Sequence, residues 1–228
     1  MKKVFLILIL SFIVSCKSSE DEKPIMVVPA AQPAESNIIF RDNFDTHKNE
    51  WVERTGRWKW IDGFLSQTTS DPRELNSIIY LSNPQVADGS IETLVRINFS
   101  EHALMDNPAY NRKYIVGAGI IFRIQDMKNY YMFRLAGETG AVLGKMVDGE
   151  WIDIKNPRAY DFLEGEVLNF GGNNWYNLKV ELKGNRIICY VQNSAVINAT
   201  DDTYAIGKVG LVTFKASADF DYITIKSF

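Results

Sequence analysis

Residues 117–135, GAGIIFRIQDMKNYYMFRL, constrain the fold more than any other stretch of this chain. They read as two strands, 118–124 and 129–135, joined by the polar tetrapeptide Gln125-Asp126-Met127-Lys128. Strand side chains alternate between faces. Ile120, Phe122 and Ile124 therefore oppose Gly119, Ile121 and Arg123, and Tyr131, Phe133 and Leu135 oppose Tyr130, Met132 and Arg134. One face is wholly apolar or aromatic and reads as core. The other carries two arginines beside a tyrosine and a methionine and reads as a candidate binding surface.

The same texture runs from Asn37 to Phe228, where short runs rich in Ile, Val, Phe, Tyr and Trp alternate with Gly, Asn and Asp. Besides the two strands above, the pattern predicts strands at 38–44, 58–61, 64–67, 77–80, 89–97, 141–147, 150–155, 175–182, 186–193, 208–214 and 220–226. Asp62-Gly63, Asp148-Gly149 and Lys183-Gly184-Asn185 are the tight connections that hairpins use. No segment sustains a helical period, and there is no internal repeat. The spacing predicts a single all-β domain over 37–228, two antiparallel sheets packed face to face. Two irregular segments, 98–113 and 156–174, interrupt the series and are candidates for rimming a binding face.

The N-terminus is of another kind. Lys2 and Lys3 precede an apolar run, 4–14, broken only by Ser11, and then come Ser15 and Cys16. This is the tripartite layout of a secretory signal, too short for a permanent membrane helix. Ile13-Val14-Ser15-Cys16 resembles the lipobox of bacterial lipoproteins, with Ile where Leu is usual. The resemblance implies that 1–15 is a signal peptide and that Cys16 becomes the lipid-bearing N-terminus anchored in a membrane. An ordinary secreted chain with a coincidental cysteine is the alternative.

Residues 17–36 hold three prolines, six charges and no aromatic side chain, and read as a flexible tether. Glu20-Asp21-Glu22 resembles the surface-export signal of Bacteroidetes lipoproteins, against the plainer reading of a solvated linker. Lys17 is not the aspartate that retains lipoproteins at the inner membrane, so the expected location is the outer membrane, exposed at the cell surface.

Removing Met1 to Ser15 takes Lys2 and Lys3 with it, leaving 23 basic residues of 25 against 28 acidic, a net of −5. That balance argues against nucleic acid, which calls for a basic face. Without Cys16, Cys189 has no disulfide partner and reads as a small buried hydrophobe. His47 and His102 form no metal-ligand pattern.

Four sets of residues carry a family resemblance. The first is Asp42-Asn43-Phe44 with Trp51, Gly56-Arg57-Trp58 and Asp62-Gly63-Phe64-Leu65; the second is Gly119 to Arg123 with Tyr130 to Arg134. The third is Trp175 to Val180 with Gly184 and Ile187, and the fourth Gly207 to Leu211 with Phe220 to Ile225. Their order resembles concanavalin A-like jelly-roll domains, in particular the laminin-G-like and 3-keto-disaccharide hydrolase-like branches. The resemblance implies a jelly-roll sandwich and a glycan partner, with hydrolysis in some members. Fold alone confers neither activity.

For hydrolysis, two carboxylates must flank the scissile bond. The Glu-x-Asp-x-x-Glu strand motif of the laminarinase-like branch is absent. Glu150 and Asp153 are three apart and so fall on opposite strand faces, and Glu164 and Glu166 lie in a loop. Catalysis would have to draw on loop carboxylates within 98–113 or 156–174.

For binding, aromatic faces pack on sugar rings while planar or charged groups read the hydroxyls. Arg123, Arg134 and Tyr130 lead the candidates. Arg96 and Glu92 share a parity on 91–97, and Lys179 and Glu181 face outward on the strand opened by Trp175. Trp151 is a candidate platform at the rim. A salt-bridged exposed sheet face is the competing reading of the same residues. Trp51, Trp58 and Trp60 read as core.

Asp42 and Asp45 open the domain and Asp219 and Asp221 close it. If first and last strands are neighbours, these four could gather around a structural calcium; solvated edge charges explain them equally. The leading expectation is a surface-anchored lectin-like protein that holds a glycan without chemistry. The alternatives are a glycoside hydrolase and a structural or protein-binding envelope component.

Overall fold

The computed structural model describes residues 37–68, 76–98, 116–136, 140–155 and 173–228. The expectations for the signal segment, Cys16 and the tether lie outside these residues. So do those for the loop carboxylates of 98–113 and 156–174.

Fifteen strands are present among the described residues: β1 (Asn37–Asp42), β2 (Trp51–Glu53), β3 (Trp58–Ile61), β4 (Phe64–Gln67), β5 (Asn76–Val86), β6 (Gly89–Asn98), β7 (Gly117–Asp126), β8 (Asn129–Ala136), β9 (Gly140–Val147), β10 (Glu150–Lys155), β11 (Trp175–Lys183), β12 (Arg186–Val191), β13 (Ser194–Thr200), β14 (Gly207–Phe214) and β15 (Ser217–Ser227). One sheet runs β13-β12-β11-β6-β15-β4-β3, with β1 also paired to β15. The other runs β10-β9-β8-β7-β14-β5-β2. Every pairing is antiparallel.

The hairpin turns follow from backbone chemistry. Asp62 and Gly63 have φ of 52° and 79°, and Asp148 and Gly149 have 53° and 88°. Two successive left-handed residues match the twist of the strands they join. Gln192 and Asn193, at 49° and 66°, make a third such turn without a glycine. That turn separates β12 from β13; the strand expected at 186–193 runs into the turn, and β13 was not expected.

The inward faces interlock. Ile91, Val95, Leu178, Val180, Cys189, Phe220 and Ile223 come from one sheet, and Ile120, Phe122, Tyr131, Phe133, Leu143 and Leu211 from the other. Trp51 and Trp58 are buried in this core and Trp60 packs against it, as expected. Cys189 is fully buried, which pushes its thiol well above the usual range.

A second, smaller apolar cluster lies on the outward face of the seven-stranded sheet. Ile78, Ile121, Ile124, Tyr130, Met132 and Val212 form it, with Tyr80, Met127 and Met146 packed alongside. Its presence explains why neither face of β7 and β8 alternates cleanly between apolar and polar.

Two bulges reassign side chains. In β7 the register slips by one residue between Ile121 and Ile124 against β14 and by two between Phe122 and Asp126 against β8, and Arg123 adopts φ 49°. An extra residue in one strand swaps the faces beyond it. Ile124 therefore joins the outward cluster, and Arg123 turns inward. In β15 the slip between Phe220 and Tyr222 sends Asp219, Tyr222 and Thr224 to one face, and Ile223 to the core.

Candidate functional site

The bulge removes Arg123 from the binding surface. It is 1% exposed, and its guanidinium donates to the carbonyls of Tyr204 (3.0 Å), Ala87 (2.8 Å) and Gly184 (2.6 Å). Those carbonyls belong to three different connections at one end of the sandwich. Burial lowers its pKa, while Tyr131 and Asp88 act the other way. Arg123 is a clamp on turns rather than a ligand contact. Tyr130 also departs from expectation: it is 1% exposed within the outward apolar cluster, and burial pushes its hydroxyl up to about 12. The remaining candidates separate onto the two outward faces.

On the eight-stranded sheet, Arg96 of β6 sits opposite Trp175 of β11 and Asp219 of β15. Its Nε and Nη2 donate to Asp219 Oδ2 at 3.2 and 2.8 Å, and Nη1 donates to Asn173. Asn98 and Ser66 also donate to Asp219, at 2.8 and 2.7 Å. Burial alone would raise the Asp219 pKa, but these donors and the Arg96 charge outweigh it and hold the carboxyl below the usual range. The guanidinium lies 4.6 Å from the Trp175 ring and 5.6 Å from Phe64.

Glu92 accepts from Tyr222 and from Asn177, both at 2.8 Å. Lys179 and Tyr190 both donate to Glu181 at 2.8 Å. The candidates are brought together here, and each charged group among them already has its partner within the fold.

The other face is different. Arg134 on β8 reaches across the outward side of the seven-stranded sheet, over a trough lined by glycine. A Cβ on Gly119 would lie 2.5 Å from Arg134 Cα, and one on Gly117 would lie 3.0 Å from Arg134 Nη1. The guanidinium rests 4.6 Å from the Phe214 ring. Among the described residues its hydrogen bond is to Leu135 O at a long 3.4 Å, and its buried Nε has no acceptor. Burial lowers its pKa to about 10, with Asp153 opposing.

Beside it, Trp151 of edge strand β10 lies over Gly144, where a Cβ would come within 2.2 Å of the indole. The indole is 37% exposed, and its Nε1 donates to Asp153 at 2.7 Å. Register places Trp151 beside Met146, Asp153 beside Gly144, and Arg134 beside Val142. Trp151, Asp153 and Arg134 therefore descend diagonally across three adjacent strands. The span is roughly 10 Å across the strands and 13 Å along them, the scale of a short oligosaccharide.

Phe214 and Asp153 are functional candidates that the pattern did not single out. The available signal was Gly117-x-Gly119 in a strand, which marks a close approach by something large; the large group is Arg134.

The expected aspartates are not gathered at one point. Strands β1 and β15 are neighbours as expected, but Asp42 stands opposite Ile223, four residues from Asp219. Asp42 accepts from Trp51 Nε1 at 2.8 Å and Phe44 N at 3.0 Å, and pairs with Lys48 at 3.0 Å. Asp219 is held by Arg96, and Asp45 accepts from Asn43. Among the described residues no group of three or more His, Cys, Asp or Glu side chains converges as a metal would need.

No protein-family model and no curated sequence matches the chain. Solved structures do. The carbohydrate-binding module CBM66 from Bacillus subtilis superposes with a TM-score of 0.63 at 22% identity, over 78% of this chain and 96% of that one. A lichenase (β-1,3-1,4-glucanase) from a mouse hindgut metagenome gives 0.56 at 10% identity, over 82% and 97%. The endo-1,3-β-glucanase catalytic domain of Thermotoga petrophila RKU-1 gives 0.56 at 10%, over 85% and 98%. At these identities the likeness establishes the fold: a concanavalin A-like jelly-roll sandwich of two antiparallel sheets.

Proposed function

We propose that this protein is a lectin-like module that holds a glycan on the outward face of its seven-stranded sheet, without chemistry. The observation that carries the reading is Arg134. Its Nε is buried with no acceptor among the described residues, and a buried unpaired donor is costly unless something else pairs with it. Arg134 stands on the same face as an exposed indole laid flat on the sheet, and indole faces pack on the apolar faces of sugar rings. The carbohydrate-binding module among the similar structures supports a glycan as the partner. On this reading Cys16 carries lipid, and the tether presents the domain at the outer surface of the outer membrane.

The test is a panel of neutral and acidic polysaccharides presented to the full chain in mild detergent. Retention that drops at least about tenfold in Trp151→Ala supports the reading, since stacked aromatic anchors commonly contribute that much. Retention untouched by both Trp151→Ala and Arg134→Ala would remove this face from the site. A blank panel together with a protein crosslinked on cells would favour the envelope-partner alternative.

The glucanases among the similar structures favour glycoside hydrolysis as a second reading. It requires sugar released from a panel polysaccharide, at a yield that depends on one carboxylate.

A further inference from the structure

We infer that the glycan held on this face is anionic, with a uronate carboxylate or a sulfate ester seated against Arg134. The inference rests on the glycan-binding reading and adds the charge of the ligand to it.

Three cations meet on this face. Arg134 and Lys215, which lies in the β14–β15 turn, both stand over the Phe214 ring, at 4.6 and 5.6 Å from its centroid. Lys208, further along β14, stands 5.3 Å from the Tyr80 ring. None of the three enters an ion pair among the described residues. Asp153 is the carboxylate that acts on Arg134, and it already accepts the Trp151 indole N–H.

An aromatic ring shared by two like charges gives each a modest attraction but leaves their mutual repulsion in place. A carboxylate or sulfate seated at Arg134 would offset part of that repulsion. It would also take up the donors of Arg134 that Leu135 O leaves largely unused. The planar guanidinium matches the two oxygens of either anion. The setting is built for this. Gly117 and Gly119 clear the path of the arm, and Phe214 fixes the plane of its head group. A neutral sugar would use the indole and leave the cations as they are.

The experiment measures affinity of the full chain, in mild detergent, for two matched pairs. The first is polygalacturonate and its methyl ester; the second is a sulfated galactan and the same galactan desulfated. The inference expects one acidic member to bind about 10- to 100-fold more tightly than its neutral mate, the range of one charge-assisted contact at a desolvated site. Whichever pair shows the preference names the source of the anion. Arg134→Gln should abolish the preference, and Arg134→Lys should restore part of it. Raised salt should weaken the acidic ligand selectively.

Thermal unfolding of each variant separates loss of binding from loss of fold. If acidic and neutral members bind equally and Arg134→Gln weakens both alike, the anion is overturned while the binding face survives. If the folded Arg134→Gln variant keeps the acid preference, Arg134 is not its source and the inference fails. If neither pair binds, both the inference and the glycan reading fall.

Discussion

The two outward faces of the sandwich hold arginines in opposite circumstances. On the eight-stranded sheet Arg96 spends its Nε and both terminal nitrogens on Asp219 and Asn173, beside two aromatic rings. On the seven-stranded sheet Arg134 has, among the described residues, one long bond to a backbone carbonyl and a buried Nε with no acceptor. Strand parity offered both as ligand candidates, with Arg134 ahead. What separates them is the local tally of donors and acceptors. A charge whose partners are supplied by neighbouring strands stabilises the sheet, and an arginine left short of acceptors keeps its capacity for something outside the chain. The contrast extends to the aromatic groups. Trp175 is taken up by Arg96 and Phe64, whereas Trp151 is laid open on an edge strand.

The largest effect should come from filling the trough under Arg134. In Gly119→Ala the new Cβ would fall 2.1 Å from Phe133 O and 2.5 Å from Arg134 Cα, both backbone atoms that cannot step aside. We expect a loss of about 3 kcal/mol or more, the upper end of overpacking costs, read from chemical denaturation. An unchanged midpoint would mean that the sheet yields easily there, and that the glycine is no evidence for a built cradle.

Next, the two arginines should trade effects. Arg96→Ala leaves Asp219 largely buried and without its counter-charge, and should cost about 2 kcal/mol of stability. Arg134→Gln removes a desolvated cation along with its contact to Phe214. These changes oppose each other, so stability should move by less than about 1 kcal/mol, with ligand retention taking the loss instead. If Arg134→Gln proved the more destabilising of the two, the division between a structural and a binding arginine would collapse.

Much of this architecture was legible in the chain. Alternating apolar residues and Asp-Gly turns located most strands, and the inward positions Ile120, Phe122, Tyr131, Phe133 and Leu135 were read correctly. The site was less legible because parity persists only while a strand is regular. The bulge at Arg123, one residue against β14 and two against β8, turned it from a surface candidate into a clamp on three carbonyls. Nothing in RIQD announces that slip. Tyr130 was lost for another reason: alternation assigns a face, but not whether that face is open, and this one carries its own apolar cluster. For the aspartates, adjacency of β1 and β15 was legible but register was not: the pairing does not bring Asp42 level with Asp219. Arg134 and Trp151 keep their place as candidates because both strands run regularly through them and glycines lie beneath.

The smallest effect concerns acid, and it tests the comparison from its other side. The Asp219 carboxyl titrates below the usual carboxylate range in the folded protein, because the donors around it outweigh the cost of burial. A group depressed on folding contributes stability that is complete above its unfolded pKa, ~3.9 for Asp. That contribution fades as pH falls through the folded value, since the unfolded chain then binds more protons. Asp201, held to about 2 because hydrogen bonds from Lys145, Tyr131 and Thr203 outweigh its burial, adds to the same acid limb in every variant. Asp219→Asn should therefore flatten the decline in unfolding midpoint below about pH 4 relative to the parent. Arg134→Gln should leave that decline parallel to the parent's, because Arg134 forms no ion pair among the described residues. Should Arg134→Gln flatten the limb as well, a carboxylate such as Asp153, which acts on Arg134 through its charge, must pair with it directly in the folded state, and the donors assigned to the ligand would already be taken.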